Sequence, residues 1–101
     1  MHDDRLLLLD PRDNVLVVRA RIAEGESLNL GGQIYRAGRD FPLAHKLARH
    51  AIREGETILK YGAPIGLATQ DIAPGAHVHV HNMRSAYTPT YTLDAEKEPV
   101  T

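Results

Sequence analysis

The chain contains no cysteine. That excludes disulfides, thiolate zinc sites, iron–sulfur clusters and a cysteine nucleophile, and removes the framework on which many small secreted domains rely. Tryptophan is also absent and there is one phenylalanine, so the core has to be assembled almost wholly from aliphatic side chains. No apolar run is long. Leu6–Leu9 is closed off by Arg5 and Asp10, short of the roughly 7–15 apolar residues of a signal segment or the about 20 of a membrane span. Neither sign of charge dominates, with 12 Lys and Arg against 13 Asp and Glu. A formal net charge of -1 leaves no electrostatic footprint for nucleic acid or an anionic membrane surface. A soluble, cytoplasmic protein that binds neither is expected.

What is present suits one compact domain: 101 residues, 43% hydrophobic and 25% charged. The oddity is six histidines. One pattern, Ile-x-x-Gly-x-x-apolar, occurs at Ile22–Gly25, Ile52–Gly55 and Ile72–Gly75, spaced 30 and then 20 residues apart, which is not the fixed period of a solenoid. It reads as a corner: an apolar residue closes one strand, two residues turn, and Gly takes a positive φ before the next strand begins. Three such corners in a short chain predict a mainly all-β fold of short strands. The Val-rich stretch at 14–22, the alternating "HVHVH", "GETILKYG", "PIGLATQDI" and a brief strand at Gln33–Arg36 all agree with it. One segment dissents. Leu43, Leu47, Ala48, Ala51 and Ile52 fit a helical stripe after Pro42, predicting one short helix near 42–49. The Thr-, Tyr- and Pro-rich segment from Arg84 onward reads as an extended arm outside the core.

The succession His45-Lys46, Ile52–Gly55, "LKYGAPIG" at 59–66 and "DIAPGAHVHVHN" at 71–82 resembles the N-terminal segment of the altronate/galactarate dehydratase family. The resemblance runs from about Asp13 to Arg84 and implies a SAF-type domain of β-clip fold over 6–84, with the arm at 85–101 beyond it. It also makes the segment around His45 extended, against the helical stripe. It departs at Ala44, where the family usually has Gly before the His-Lys pair. The function it implies is that of a small subunit, or detached N-terminal domain, of a hydro-lyase acting on sugar acids or a sulfo-lyase acting on sulfolactate. Such a chain would complete the active site of a large catalytic subunit, with divalent iron or manganese as the implied metal. The alternative is a stand-alone module of the same type that binds a metal or a sugar acid without catalysis. A homo-oligomer fits either reading.

The residues matching the family's motifs are His45, Lys46, Lys60, Tyr61, Gly62, Pro64, Gly66, His77, His79, His81 and Asn82. Along a flat strand alternate side chains lie about 6.6 Å apart on one face, so His77, His79 and His81 share a face, with His77 and His81 separated by about 13 Å. One ion can then be reached by an adjacent pair, His79 with His81 or with His77, but the remaining ligands must come from elsewhere. The bland reading makes the histidines a solvent face, with Val78 and Val80 packed inward. His45 and His79 are candidate proton carriers, since an imidazole titrates near neutral pH. Lys60 and Lys46 are candidate contacts for a substrate carboxylate, the alternative being ordinary surface lysines. Tyr61 is a candidate substrate contact whose ordinary use is a packed ring. Asn82 suits either a substrate hydroxyl or the strand's end. There is no phosphate-binding loop and no nucleophile elbow.

Overall fold

The computed structural model describes residues 3–85, which are all-β. The strands are β1 (Leu6–Leu7), β2 (Val15–Val18), β3 (Ser27–Leu30), β4 (Gln33–Arg36), β5 (Lys46–Ala48), β6 (Thr57–Lys60), β7 (Ala63–Ala68), β8 (His77–Val78) and β9 (Met83–Ser85). They form a four-stranded sheet in the order β1-β2-β5-β8, the hairpin β3-β4, and a three-stranded sheet β6-β7-β9. Every pairing is antiparallel. The arm expected over 85–101 lies outside the described residues except at its start. There Arg84 and Ser85 are not an arm but part of β9, paired with Leu67 and Gly66.

Successive residues of a strand point to opposite faces, and the four-stranded sheet is covered on both. Leu16, Val18 and Leu47 pack with Leu6, Ile22, Leu28, Leu30 and Phe41 on one side. Val15, Ala48 and Val78 pack with Ile52, Ile58, Ala68 and Ile72 on the other. Burial on both faces explains why Val15–Val18 reads as an unbroken apolar run instead of an alternation.

Between the sheets the chain turns at four equivalent corners. Gly25, Gly55 and Gly75 take φ of 87°, 85° and 79°, as their motif predicts. The fourth corner was hidden from the sequence because Ala44, at φ 71°, stands in the glycine position. Hydrogen bonding makes the four identical. Each left-handed residue donates to, and the next residue accepts from, one small residue: Ala37, Val18, Ala68 and Ala48 respectively for Gly25, Ala44, Gly55 and Gly75, all at 2.8–3.0 Å. The helix predicted near 42–49 is therefore a corner followed by β5. Leu43 is 60% exposed, Leu47 and Ala48 serve opposite faces of a strand, and Ile52 bridges Ile72. The helical spacing arose from a corner, a strand and a second corner in succession.

The corners come in two copies of one unit. Val18, Ile22, Gly25 and Leu28 recur thirty residues on as Ala48, Ile52, Gly55 and Ile58. A register shift between Ile58 and Leu59 adds one residue, after which Ala37, Phe41 and Ala44 recur as Ala68, Ile72 and Gly75. The bridge Ile22–Phe41 matches the bridge Ile52–Ile72. The irregular spacing of the motif thus joins corners that hold different places in the repeated unit.

An L-residue held at positive φ costs about 1–2 kcal/mol, and glycine relieves it. Ala44→Gly is expected to stabilise the domain by about 1 kcal/mol, raising the melting temperature by roughly 4–8 °C. A thermal melt followed by circular dichroism checks this, and an unchanged or lower midpoint would show that Ala44 is unstrained.

Candidate functional site

The "HVHVHN" segment is only half a strand. His77 and Val78 pair with Leu47 and Lys46 of β5, and the chain then leaves the sheet in a turn. Asn82 makes that turn: its Oδ1 accepts from the His79 amide at 3.0 Å, and its Nδ2 donates to the His77 carbonyl at 2.8 Å. Its side chain is buried, so of its two expected uses the geometry displays the closing of the strand. The turn also revises the flat-strand geometry. The His77 and His81 rings approach to 5.5 Å between centroids, and Val80 is 77% exposed instead of packed beside the buried Val78.

The result is a cluster of four imidazoles. His77 lies at its centre, stacked on His45, His79 and His81 at 5.2, 5.3 and 5.5 Å, and His45 also stacks on His79 at 5.8 Å. His45 is carried there by the Ala44 corner. His77 is buried against Phe41, whose ring meets it edge-on at 5.7 Å, and both its nitrogens are engaged. Nδ1 lies 2.9 Å from Arg39 Nη1, and Nε2 lies 3.0 Å from His45 Nδ1. Arg39 carries no motif of the kind that flags a site, and sequence reasoning missed it.

Burial, with the Arg39 guanidinium and the three other imidazoles adding to it, pushes the His77 pKa down to about 4. An unfolded histidine takes its proton near pH 6.5. The folded state therefore prefers the neutral ring, and this contribution is complete above about pH 6.5 and is lost as the pH falls toward 4. Stability is expected to drop by on the order of 2 kcal/mol across that window. Urea unfolding at pH 7.5 and 4.5 measures it, with His77→Gln as the control that flattens the slope. A wild-type slope no steeper than that of His77→Gln would contradict the burial argument. Asp3, held near 2 by its hydrogen bond and ion pair with Arg5, titrates below this window and does not confuse it.

The expected lysines gather elsewhere. Lys46 pairs with Val78, so it leaves β5 on the face opposite Leu47 and its partner His77. Its pKa is lowered by burial first and then by the charge of Lys60, which is near enough to be felt. Among the described residues neither has an ion-pair or hydrogen-bond partner.

Lys60 ends β6 at a two-residue turn whose residues, Tyr61 and Gly62, both have positive φ. The buried Asp13 carboxylate holds the turn, accepting from the Tyr61 amide at 2.9 Å and the Gly62 amide at 2.7 Å. Asn14 secures the same strand, accepting from the Leu59 amide and donating to the Thr57 carbonyl. Gly62 lies against the Arg12 guanidinium, the movable end of an exposed side chain, and Gly66 sits against the backbone of Arg84. The Tyr61 ring is 68% exposed, not packed. Asp13 and Asn14 were also missed, since a polar pair ahead of an apolar strand looks like any loop.

Among the described residues no three His, Asp or Glu side chains form a group suited to a metal ion. The cause is geometric. His77 has no free nitrogen, and near-parallel rings set their lone pairs side by side instead of aiming them at one point. His77, His79 and His81 thus lie close together without forming such a group among the described residues.

The family model for the altronate/galactarate dehydratase SAF domain matches residues 4–86. The chain belongs to this family. As a SAF domain it is 40% identical over 88 residues to the altronate dehydratase of Bacillus subtilis, covering 79% of the chain and 18% of that enzyme. It is 44% identical over 73 residues to the altronate dehydratase of Escherichia coli, covering 72% of the chain and 15% of that enzyme. Against the (2R)-sulfolactate sulfo-lyase subunit alpha of Chromohalobacter salexigens it is 48% identical over 44 residues, 44% of the chain and 47% of that subunit. The SAF domain thus spans less than a fifth of the altronate dehydratases it matches. All four corners are formed, and the Ala44 corner closes without a glycine.

Proposed function

We propose that this chain supplies one side of the active site of a lyase acting on a hydroxy-acid carboxylate, and that a large catalytic polypeptide supplies the rest. The observation that carries the reading is two half-buried lysines, Lys46 and Lys60, close enough for the charge of one to lower the pKa of the other and without an acidic partner among the described residues. Two like charges gain from an anion between them, and a substrate carboxylate is such an anion. The relatives' names supply the chemistry. Altronate and sulfolactate each carry a proton α to a carboxylate and a leaving group on the next carbon.

In the proposed reaction a base removes the α-proton, and cationic groups stabilise the enediolate while water or sulfite departs. Lys46 and Lys60 hold the carboxylate. His45 and His79, at the open side of the imidazole cluster, manage protons and hydrogen bonds at the reacting carbons, which they must reach around the start of β5 because Lys46 leaves its opposite face. The base is shared with, or provided by, the partner. That the sulfo-lyase relative is named as a subunit alpha supports a divided enzyme of this kind. An expected iron or manganese ion finds no three-ligand group here, so no step is assigned to it. The absence of cysteine fits a cytoplasmic setting.

The test is recovery of the tagged chain from its native lysate, with mass spectrometry of what accompanies it. A stoichiometric lyase polypeptide of several hundred residues is expected. Recovery of the chain alone would overturn the divided-site reading in favour of a stand-alone binding module.

A further inference from the structure

Arg39 sits just ahead of Phe41 and the Ala44 corner, outside every motif of the sequence. Three contacts fix it. Its Nε donates to the Asp40 carbonyl at 2.8 Å, its guanidinium lies 5.9 Å from the centroid of the Phe41 ring, and its Nη1 reaches Nδ1 of His77 at 2.9 Å. The last contact has one possible sense. A guanidinium has only donors, so Nδ1 of His77 must present a lone pair. The neutral His77 ring then carries its proton on Nε2, and Nε2 faces Nδ1 of His45 at 3.0 Å. His45 therefore accepts at Nδ1 and carries its own proton on Nε2. His79 and His81 stack on these rings without hydrogen-bonding to them, and Leu47 is the apolar cross-strand neighbour, so none of them competes for the proton.

We propose that Arg39 is a positioning residue for the imidazole cluster: by donating to His77 it sets the tautomers of His77 and His45 in series, so that His45 meets its ligand as an Nε2–H donor. The ligand group this suits is an oxyanion, either a carboxylate oxygen or the enediolate oxygen that develops when an α-proton is lost. A lone pair on the same atom would instead make His45 a base or a metal ligand. Arg39 thus decides which chemistry His45 performs, without touching the ligand itself. This rests on reading the cluster as part of the lyase site. The low pKa of His77 agrees, since a ring held beside a guanidinium stays neutral.

Long-range proton–nitrogen correlation spectra of the 15N-labelled full chain at pH 7.5 identify the protonated nitrogen of each ring. Wild type is expected to show Nε2–H for both His77 and His45. In Arg39→Glu an acceptor replaces the donor, and both rings are expected to switch to Nδ1–H. Arg39→Lys, which keeps a donor, is expected to retain the wild-type tautomers. An Nδ1–H signal at either ring of the wild-type chain would overturn the inference, and so would a folded Arg39→Glu with unchanged tautomers. Should Arg39→Glu fail to fold, the wild-type and Arg39→Lys spectra still decide. In the assembled lyase, Arg39→Glu is expected to lower kcat at least tenfold and Arg39→Lys to restore most of it. The spectra read the isolated chain, so their outcome is independent of whether a lyase partner is recovered.

Discussion

Asp13→Ala is expected to cost the domain about 3 kcal/mol, a large share of the roughly 5–15 kcal/mol that holds a small domain together. The carboxylate is 1% exposed and accepts two amide hydrogens at 2.9 and 2.7 Å. A hydrogen bond to a charged group contributes about 1.5–3 kcal/mol, and relief from burying the charge returns part of what two such bonds give. The amides belong to Tyr61 and Gly62, which must both hold positive φ, and the Tyr61 conformation is unfavourable without help. Losing the clasp therefore releases the turn as well as the bonds. Asp13→Asn keeps one acceptor and should cost about half as much. Urea titration with a fixed slope measures both losses. A change below about 0.5 kcal/mol in Asp13→Ala would place it among ordinary surface substitutions and discard the clasp. Because Lys60 adjoins the turn, the same variant is expected to weaken substrate binding in the assembled enzyme.

The second large effect belongs to activity. His79→Ala removes an exposed ring that stacks on His77 and His45 but makes no hydrogen bond among the described residues. Its effect on stability is expected to stay within about 0.5 kcal/mol, the range for surface substitutions. Recovery of the partner should also be unchanged. In the assembled lyase the same change is expected to lower kcat/KM by at least about a hundredfold, as for loss of a group that handles a proton in the transition state. His81→Ala is the companion measurement. If both variants retained full activity in the complex, the cluster would have no part in the reaction.

Most of the fold was legible because corners and strands announce themselves locally. The Ile-x-x-Gly motif located three of four corners, and "GGQIYRAG" placed β4 at its observed limits. The fourth corner was illegible because its positive φ falls on alanine, which sequence reasoning does not associate with that conformation. Once it was missed, the apolar spacing across 42–52 fitted a helix, and only the family resemblance argued otherwise. Alternation in "HVHVH" identified the strand correctly but overran its end, because Asn82 closes the chain through bonds to His77 and His79 that spacing does not reveal. The candidate residues were found as types, not as groupings. Their division between a histidine cluster and a lysine pair follows from the register of β5 against β8, a long-range property. Arg39, Asp13 and Asn14 act through partners 38 to 49 positions away along the chain, and no local pattern marks them.

The two copies of the corner unit make the chain its own control for divergence. Equivalent positions face the same folding demand, so where the copies keep the same kind of residue, as at Ile22 and Ile52 or Ala37 and Ala68, the demand alone accounts for it. Where they part, folding is not the reason. At the end of the first hairpin strand the early copy has Leu30, buried in its core, followed by Gly31 and Gly32 in a relaxed turn. The later copy has Lys60 and then Tyr61, an ammonium in place of a core side chain and a strained residue in place of an easy one. The later copy thus forgoes core burial at this one position, and setting Leu30 beside Lys60 isolates that exchange within a single fold.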